Sequence, residues 1–410
     1  MPKRNDDFFK EKKSWSEVKD ELLGCYLIPY FNKIFWTGKP ILYIDGFSGK
    51  GKFEDGKNGS PLIAWECFDH SLLLYQGRKK PTINMKFIDL NHTEELDGNL
   101  SEKQKEHSEV ISGKFEEKIA CLLQIEASKN PNQNVFLYID PYGVKALDVE
   151  LLNTLPSMFE TVELLINLNT WGFFRMALGK GSDFLKEIEE NLDGLDEYES
   201  SKTATIEELN TIAGGDYWQE IITRLNNKMI GSVQAEKEFS QKYKLSLNKR
   251  YKYVLDMPIR LKTGQLTKYR MVYATNHHDG CVLMADNIAK RADQLVVEIQ
   301  NHGQMSLDLY SQNVENEIVS QEVIVKKLKN LLEKFQNYAR INVLLADFYN
   351  EYGVLCDSTK VIEGLRELEK CSYIIVKRTP HLTDTGKVSS FWRETSGKDR
   401  KTVELKQKKD

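Results

Sequence analysis

The sequence predicts an α/β protein: a parallel sheet covered by helices on both faces, a helical insertion, and a small C-terminal domain of helices and a hairpin. Three observations carry this. Short apolar runs recur at 41–45 (ILYID), 85–89 (MKFID), 135–140 (VFLYID) and 162–169 (VELLINLN), with helix-like stretches between them. Runs this continuous suit strands buried on both faces. Three of the four end in aspartate. Finally, two tyrosine-bearing runs at 251–261 and 266–276, joined by KTGQ, read as a hairpin.

Taken in order, residues 16–35 predict a helix, because Val18, Leu22, Leu23, Tyr26 and Leu27 fall on one face. The run at 41–45 is the first strand, and glycines follow it at once. A weaker strand, HSEVIS (107–112), sits between the second and third strong runs. Residues 172–247 are helical and charged and read as an insertion or lid rather than core. The hairpin and a helix over 280–300 then close a domain spanning 14–300. Residues 301–320, centred on GQMSLDLYSQNVENE, predict a linker.

Beyond it, 321–410 forms a second domain. Helical patterns at 341–352 and 358–370, joined by GVLCD, precede YIIVKR (373–378), the turn TDTGK and VSSFWRE (388–394). Helix, turn, helix and hairpin in that order resemble a winged helix. Residues 371–410 form a basic tail with ten Lys/Arg against five Asp/Glu. Such a surface suits phosphate contact with RNA or DNA, or equally a frayed tail on a partner-docking module.

Composition narrows the function classes. A net charge of −4 over 410 residues does not fit coating of nucleic acid or anionic membrane by bulk electrostatics. The six cysteines, at 25, 67, 121, 281, 356 and 371, form no CxxC pair and predict reduced thiols. The opening MPKRNDDFFKEKKSW is polar, and no run reaches the length of a membrane span. The expected setting is the cytoplasm, with no membrane partner and no metal.

The chemistry concentrates at the strand ends, where open α/β sheets bind ligands. In ILYIDGFSGKG, Asp45 ends a strand, and Gly46, Gly49 and Gly51 allow the backbone to approach a ligand closely. With Phe47, this D-G-F-S-G-K-G segment resembles motif I of class I methyltransferases, in its D-x-F-x-G-x-G form. The resemblance implies a Rossmann-like sheet binding S-adenosylmethionine, with the acid facing the ligand's amino group. Asp89 and Asn91 in FIDLN stand where an acid accepts both ribose hydroxyls, although Asp89 would also serve as a plain helix cap. Asp140 opens DPYG, which resembles the D-P-P-Y motif that grips a target amine and stacks Tyr142 on a base. One proline is missing, and a plain turn is the competing reading.

Other readings compete. GFSGKGKF nearly matches a P-loop, with Lys52 on phosphates and Asp140 at magnesium, but Phe53 stands where a hydroxyl should bind the metal. Gly59, Ser60 and Pro61 suggest a helix start. His277 and His278 read as a polar loop rather than metal ligands. Trp171, Phe173 and Phe174 fit core packing better than an aromatic pocket.

Together, YIDGFSGKG, GSPL (59–62), FIDLN, LYIDPYG, LLINLN and VYATNH (272–277) resemble the three-Cys-motif partner protein family, TcmP, in order from about residue 15 to 300. The resemblance implies a methyltransferase-like core whose partner is a radical-SAM-like protein bearing three clustered cysteines. It carries cofactor-binding roles onto Asp45, Gly49, Gly51 and Asp89 and a substrate-positioning role onto Asp140. It leaves two expectations: an active methyltransferase on a nucleic acid or nucleoside amine, or a catalytically inactive regulatory partner.

Overall fold

The computed structural model describes residues 9–12, 14–141, 143–144, 146–178, 204–259, 267, 269–302, 319–395 and 400–408. The KTGQ turn, the linker at 303–317 and the most charged part of the insertion lie outside them.

Seven strands form the main sheet: β1 (Ile41–Asp45), β2 (Ile83–Asp89), β3 (Ser108–Ser112), β4 (Asn134–Ile139), β5 (Thr161–Leu168), β6 (Tyr253–Ile259) and β7 (Tyr269–Thr275). Their spatial order is β3-β2-β1-β4-β5-β7-β6. β1 to β5 pair in parallel, and β7 runs antiparallel to both of its neighbours. The predicted hairpin is therefore real, and it places a reversed strand inside the sheet. The fold is a mixed α/β arrangement compatible with a Rossmann-like sheet.

Period-two alternation divides each central strand between two faces. Leu42, Ile44, Val135 and Leu137 join one core with α5 (Phe115–Lys129) and α6 (Val149–Met158). Tyr43 and Phe136 stack at 5.8 Å on the other face, where Tyr26 and Tyr30 of α1 (Ser14–Ile34) meet the Phe136 ring. α2 (Ser60–Leu74) packs beside α1 there, and the short helices α3 (Thr93–Asn99) and α4 (Glu102–Lys105) come between β2 and β3. Each large side chain so buried stabilises the fold by roughly 1.5–3 kcal/mol. The α2 cap is Gly59, with Ser60 already helical.

The expectation that 172–247 is lid rather than core needs correction. Helices α7 (Thr170–Leu178), α8 (Ile206–Ala213), α9 (Trp218–Asn226) and α10 (Ser232–Leu247) join the main hydrophobic cluster. Phe173 packs on Phe239 at 4.6 Å and on Trp218 at 5.6 Å, so these rings are core and form no open aromatic pocket. Buried Arg270 of β7 forks onto Glu236 of α10 at 2.8 and 2.9 Å. That pair fastens the inserted helices to the sheet.

The chain divides into two compact units. The second takes in 277–294 and 310–410, including most of α11 (His278–His302). Its other elements are α12 (Gln321–Leu332), β8 (Ala339–Arg340), α13 (Ile341–Tyr352), α14 (Ser358–Lys370), β9 (Ile374–Thr379) and β10 (Thr402–Gln407). β10 lies between β8 and β9. The expected hairpin partner VSSFWRE is not a strand; β9 pairs instead with β10, so the supposed tail is sheet. Val403 and Leu405 are fully buried, which explains the choice.

Candidate functional site

The carboxyl edge of the sheet brings three of the predicted acids to one place. β1 ends at Asp45, and the chain turns immediately. Gly46 N–H donates to Tyr138 O at 2.9 Å, Ser48 N–H to Ile88 O at 3.1 Å, and Gly49 N–H to Asp89 Oδ2 at 2.9 Å. The glycine turn is thus held by the ends of β2 and β4. Gly49 and Gly51 have φ of 58° and 73°, a region that disfavours other residues. Gly59 N–H then bonds Gly51 O at 2.8 Å and closes the 52–58 loop.

Asp89 is buried, and its carboxylate is largely committed. Besides Gly49 it accepts the N–H groups of Asn91 and His92, each at 2.8 Å. The carboxylate thus caps the turn after β2, near the plain capping reading, and braces the glycine loop; with three N–H groups bound it is not free to accept two ribose hydroxyls in this conformation. Asn91 takes part through its backbone.

Asp45 is different. It is fully buried, Oδ1 accepts Phe47 N–H at 3.1 Å, and Oδ2 has no hydrogen-bond partner among the described residues. Burial pushes its carboxyl up to about 7, against the pull of Ser60 and of Phe47 N–H.

Asp140, just past β4, accepts Lys19 Nζ on both oxygens at 2.8 and 2.6 Å and Asn167 Nδ2 at 2.7 Å. The Lys19 ammonium also lies 5.3 Å from the centre of the Tyr269 ring. Neighbouring Asp20 pairs with Lys12 at 2.7 Å, and burial pushes its carboxyl up to about 6. Asn167 Oδ1, Asn169 Nδ2 and Thr170 Oγ1, at the end of β5 and the start of α7, and Ser16 Oγ, one turn before Lys19 on α1, are buried without hydrogen-bond partners among the described residues. Polar atoms left this way favour a polar ligand or water. Tyr142 lies outside the described residues.

Sequence reasoning missed Lys12, Lys19 and Asp20. The available signal was Lys19 abutting the apolar stripe of α1, where a cation is costly unless paired. It also missed Phe9. This ring is buried 4.8 Å from His92 and 5.6 Å from Phe53, and a Cβ on Gly49 would stand 2.9 Å from it. Glu54 N–H donates to Phe9 O at 2.8 Å, and Lys12 Nζ to Asn58 O at 2.6 Å, so residues 9–12 lie along the 52–58 loop. Similarly, Phe115 meets Gly46 and Leu96 meets Gly51, each 2.6 Å from the position of an added Cβ. The glycines are therefore used for close packing within this conformation.

The P-loop reading does not survive. That motif needs its lysine at the start of the next helix. Lys52 is exposed in a bridge to Asn58, Phe53 is buried, and α2 begins only at Ser60. His277 and His278 stack at 4.7 Å where α11 begins, and among the described residues no group of three or more His, Cys, Asp or Glu is set to hold a metal ion. A groove between α5, α6 and α8, lined by Glu116, Asp148, Leu151 and Glu208, contains none of the predicted site residues. Among the described residues, no helix is long and apolar enough to cross a membrane.

No protein-family model matches the chain, and no curated protein matches it. Among solved structures, it is similar to LPL1258 from Legionella pneumophila, of the DUF519 family, at 11% identity and a TM-score of 0.34. That match covers 65% of this chain and 86% of the other. EvdMO1 is similar at 10% identity and a TM-score of 0.26, covering 72% and 55%. Likeness this distant does not bear on what the chain does.

Proposed function

We propose that the chain is a methyltransferase-type protein that takes S-adenosylmethionine at the carboxyl edge of its sheet. The observation that carries this reading is Asp45, a fully buried acid with a poorly satisfied oxygen beside a turn whose Gly49 and Gly51 have positive φ. An acid so placed accepts hydrogen bonds from a cationic amine, the role that its resemblance to motif I gives it. A reversed strand next to the sheet edge also supports the reading, since a methyltransferase sheet includes one.

Three side chains pack on the glycine turn, Phe115 on Gly46, Leu96 on Gly51 and Phe9 on Gly49, and the cofactor fits only where they leave the backbone free. Phe9 covers Gly49, so residues 9–12 must leave the turn before a nucleoside enters. Asp89 already accepts three N–H groups and keeps about one acceptor position of roughly four for a ribose hydroxyl. When bound, S-adenosylmethionine supplies an electrophilic methyl group. On the protein's side, Asp45 holds the ammonium end and Asp89 fixes the turn. Asp140 with Asn167 grips an acceptor amine once Lys19 has released it, and Tyr142 stacks on the acceptor base. Acceleration would come mostly from alignment of donor and acceptor.

The test is calorimetric titration of the full chain with S-adenosylmethionine. Saturable binding that Asp45→Asn weakens at least about tenfold, a loss of about 1.4 kcal/mol, supports the reading. Binding unaffected by that isosteric change refutes it.

A second reading has its own support: the fold persists without catalysis, as partner of a three-Cys-motif radical-SAM-like protein. Lys19 on both oxygens of Asp140 and Phe9 on Gly49 favour it, because both occupy positions a substrate needs. On this reading the cofactor fails to bind even with that partner present.

In the second unit, the order helix, strand, helix, helix, strand, strand supports a winged helix. Lys377, Lys387 and Arg393 are exposed along β9 and the segment after it. The exposed face of α14 instead sets Lys360, Arg366 and Lys370 against Glu363 and Glu367. The proposed RNA or DNA contact therefore uses the β9 side. A cytoplasmic setting belongs with this reading.

A further inference from the structure

At the opposite edge of the main sheet, where β1 and β2 begin, three large apolar side chains stand exposed on two neighbouring segments. Trp36, Leu73 and Leu74 are 65%, 85% and 59% exposed. Two contacts bring their segments together. Trp36 meets the Tyr75 ring at 5.1 Å, and Lys79 Nζ bonds Gly38 O at 2.7 Å. The loop that follows α2 is thereby folded against the turn that follows α1. Lys33, Arg78, Lys79 and Lys80 are exposed on the same two segments, and Asp69, one turn before Leu73 on α2, pairs with Lys103. Glu160, the carboxylate at Lys39, is engaged in that ion pair. The result is an apolar centre with a basic border.

An isolated exposed leucine needs no explanation, but contiguous large apolar groups rimmed by charge mark interaction sites. We propose that this face docks an acidic, amphipathic segment of a protein partner. Its apolar side chains would cover Trp36, Leu73 and Leu74, while its carboxylates would meet the four cations. Charge complementarity selects the occupant. The aliphatic pair Leu73 and Leu74 offers little to a nucleic acid, which stacks on aromatic rings and pairs its phosphates with cations. The location matters as well. Asp45, Asp89 and Asp140 lie at the far ends of the same strands, so a partner docked here leaves the candidate site open.

The probe is a fluorescent eighteen-residue helical peptide with leucines along one face and glutamates elsewhere, titrated into the full chain by anisotropy. A peptide with lysines in place of the glutamates serves as its charge control. The proposal expects saturable binding of the acidic peptide only, weakened by salt and reduced at least about tenfold by Leu73→Ser with Leu74→Ser. A separate charge variant, Arg78→Glu with Lys80→Glu, should reduce it similarly. Both pairs are exposed, and a circular-dichroism melt verifies that each variant is folded. Equal binding of both peptides, or binding indifferent to either variant, overturns the proposal. So does stronger, leucine-dependent binding to phosphatidylserine vesicles or to single-stranded RNA. Self-association in sedimentation that Leu73→Ser abolishes would assign the face to a second copy and overturn it too.

Discussion

At Asp45 the chain maintains a buried carboxyl whose ordinary range lies near 4 and which burial has moved to about 7. Glu163 shares that state on the α1 face of the sheet, where burial also pushes it up to about 7 while the Tyr26 and Tyr273 hydroxyls pull the other way. For a carboxyl raised in the folded state, its contribution to stability is complete below the unfolded value near 4.5 and is lost as pH rises through 7. Glu163→Gln keeps the neutral form at every pH. The unfolding free energy of the native chain should therefore fall between pH 6 and 8 more steeply than that of the variant, by a difference of about 1–2 kcal/mol in chemical unfolding. Parallel curves would show that Glu163 ionises normally. Phe9→Ala uncovers the Gly49 turn and should raise affinity for S-adenosylhomocysteine about tenfold in calorimetry; unchanged affinity would mean that the ring does not compete. Asp45, Asp89 and Asp140 were legible because each ends an apolar run. Phe9 and Lys19 were not, because their partners lie 40 or more residues away, as with Lys19 and Asp140, 121 positions apart; Lys12 joins nearby Asp20 to Asn58, 46 positions away.

Among the elements, strand β10 shows where apolar bulk alone misleads. VSSFWRE carries more apolar bulk than TVELKQ, yet only the latter alternates so that Val403 and Leu405 face inward together. Trp392 is buried for another reason, lying under the Arg378 guanidinium at 5.0 Å. Leu405→Ala should destabilise the second unit by about 2–5 kcal/mol in chemical unfolding, the cost of emptying a core position. A loss under about 0.5 kcal/mol would mean that 402–407 is a tail after all. The central strands were plain from sequence because a doubly buried strand has no polar face to confuse the pattern. The inserted helices were misjudged because their surface is strongly charged. Their burial comes through Trp218, Phe239 and Tyr243, spaced among lysines and glutamates.

For the whole molecule, the order of the seven strands required pairing information that no local pattern contains. Only the hairpin announced that one strand would be reversed. The two units also make separable claims. If the second contacts nucleic acid, Lys377→Glu with Lys387→Glu should weaken binding of the full chain to RNA or DNA and flatten its salt dependence, with the logarithmic slope falling by about two or more. An unchanged slope would assign that surface to a protein. The first unit's claim rests on its edge acid and glycine turn, and one titration reaches it most directly. S-adenosylmethionine should bind the full chain saturably, bind the Phe9→Ala form more tightly, and lose that binding in Asp45→Asn. Absence of binding to both the native chain and Phe9→Ala, with each folded, would contradict the account.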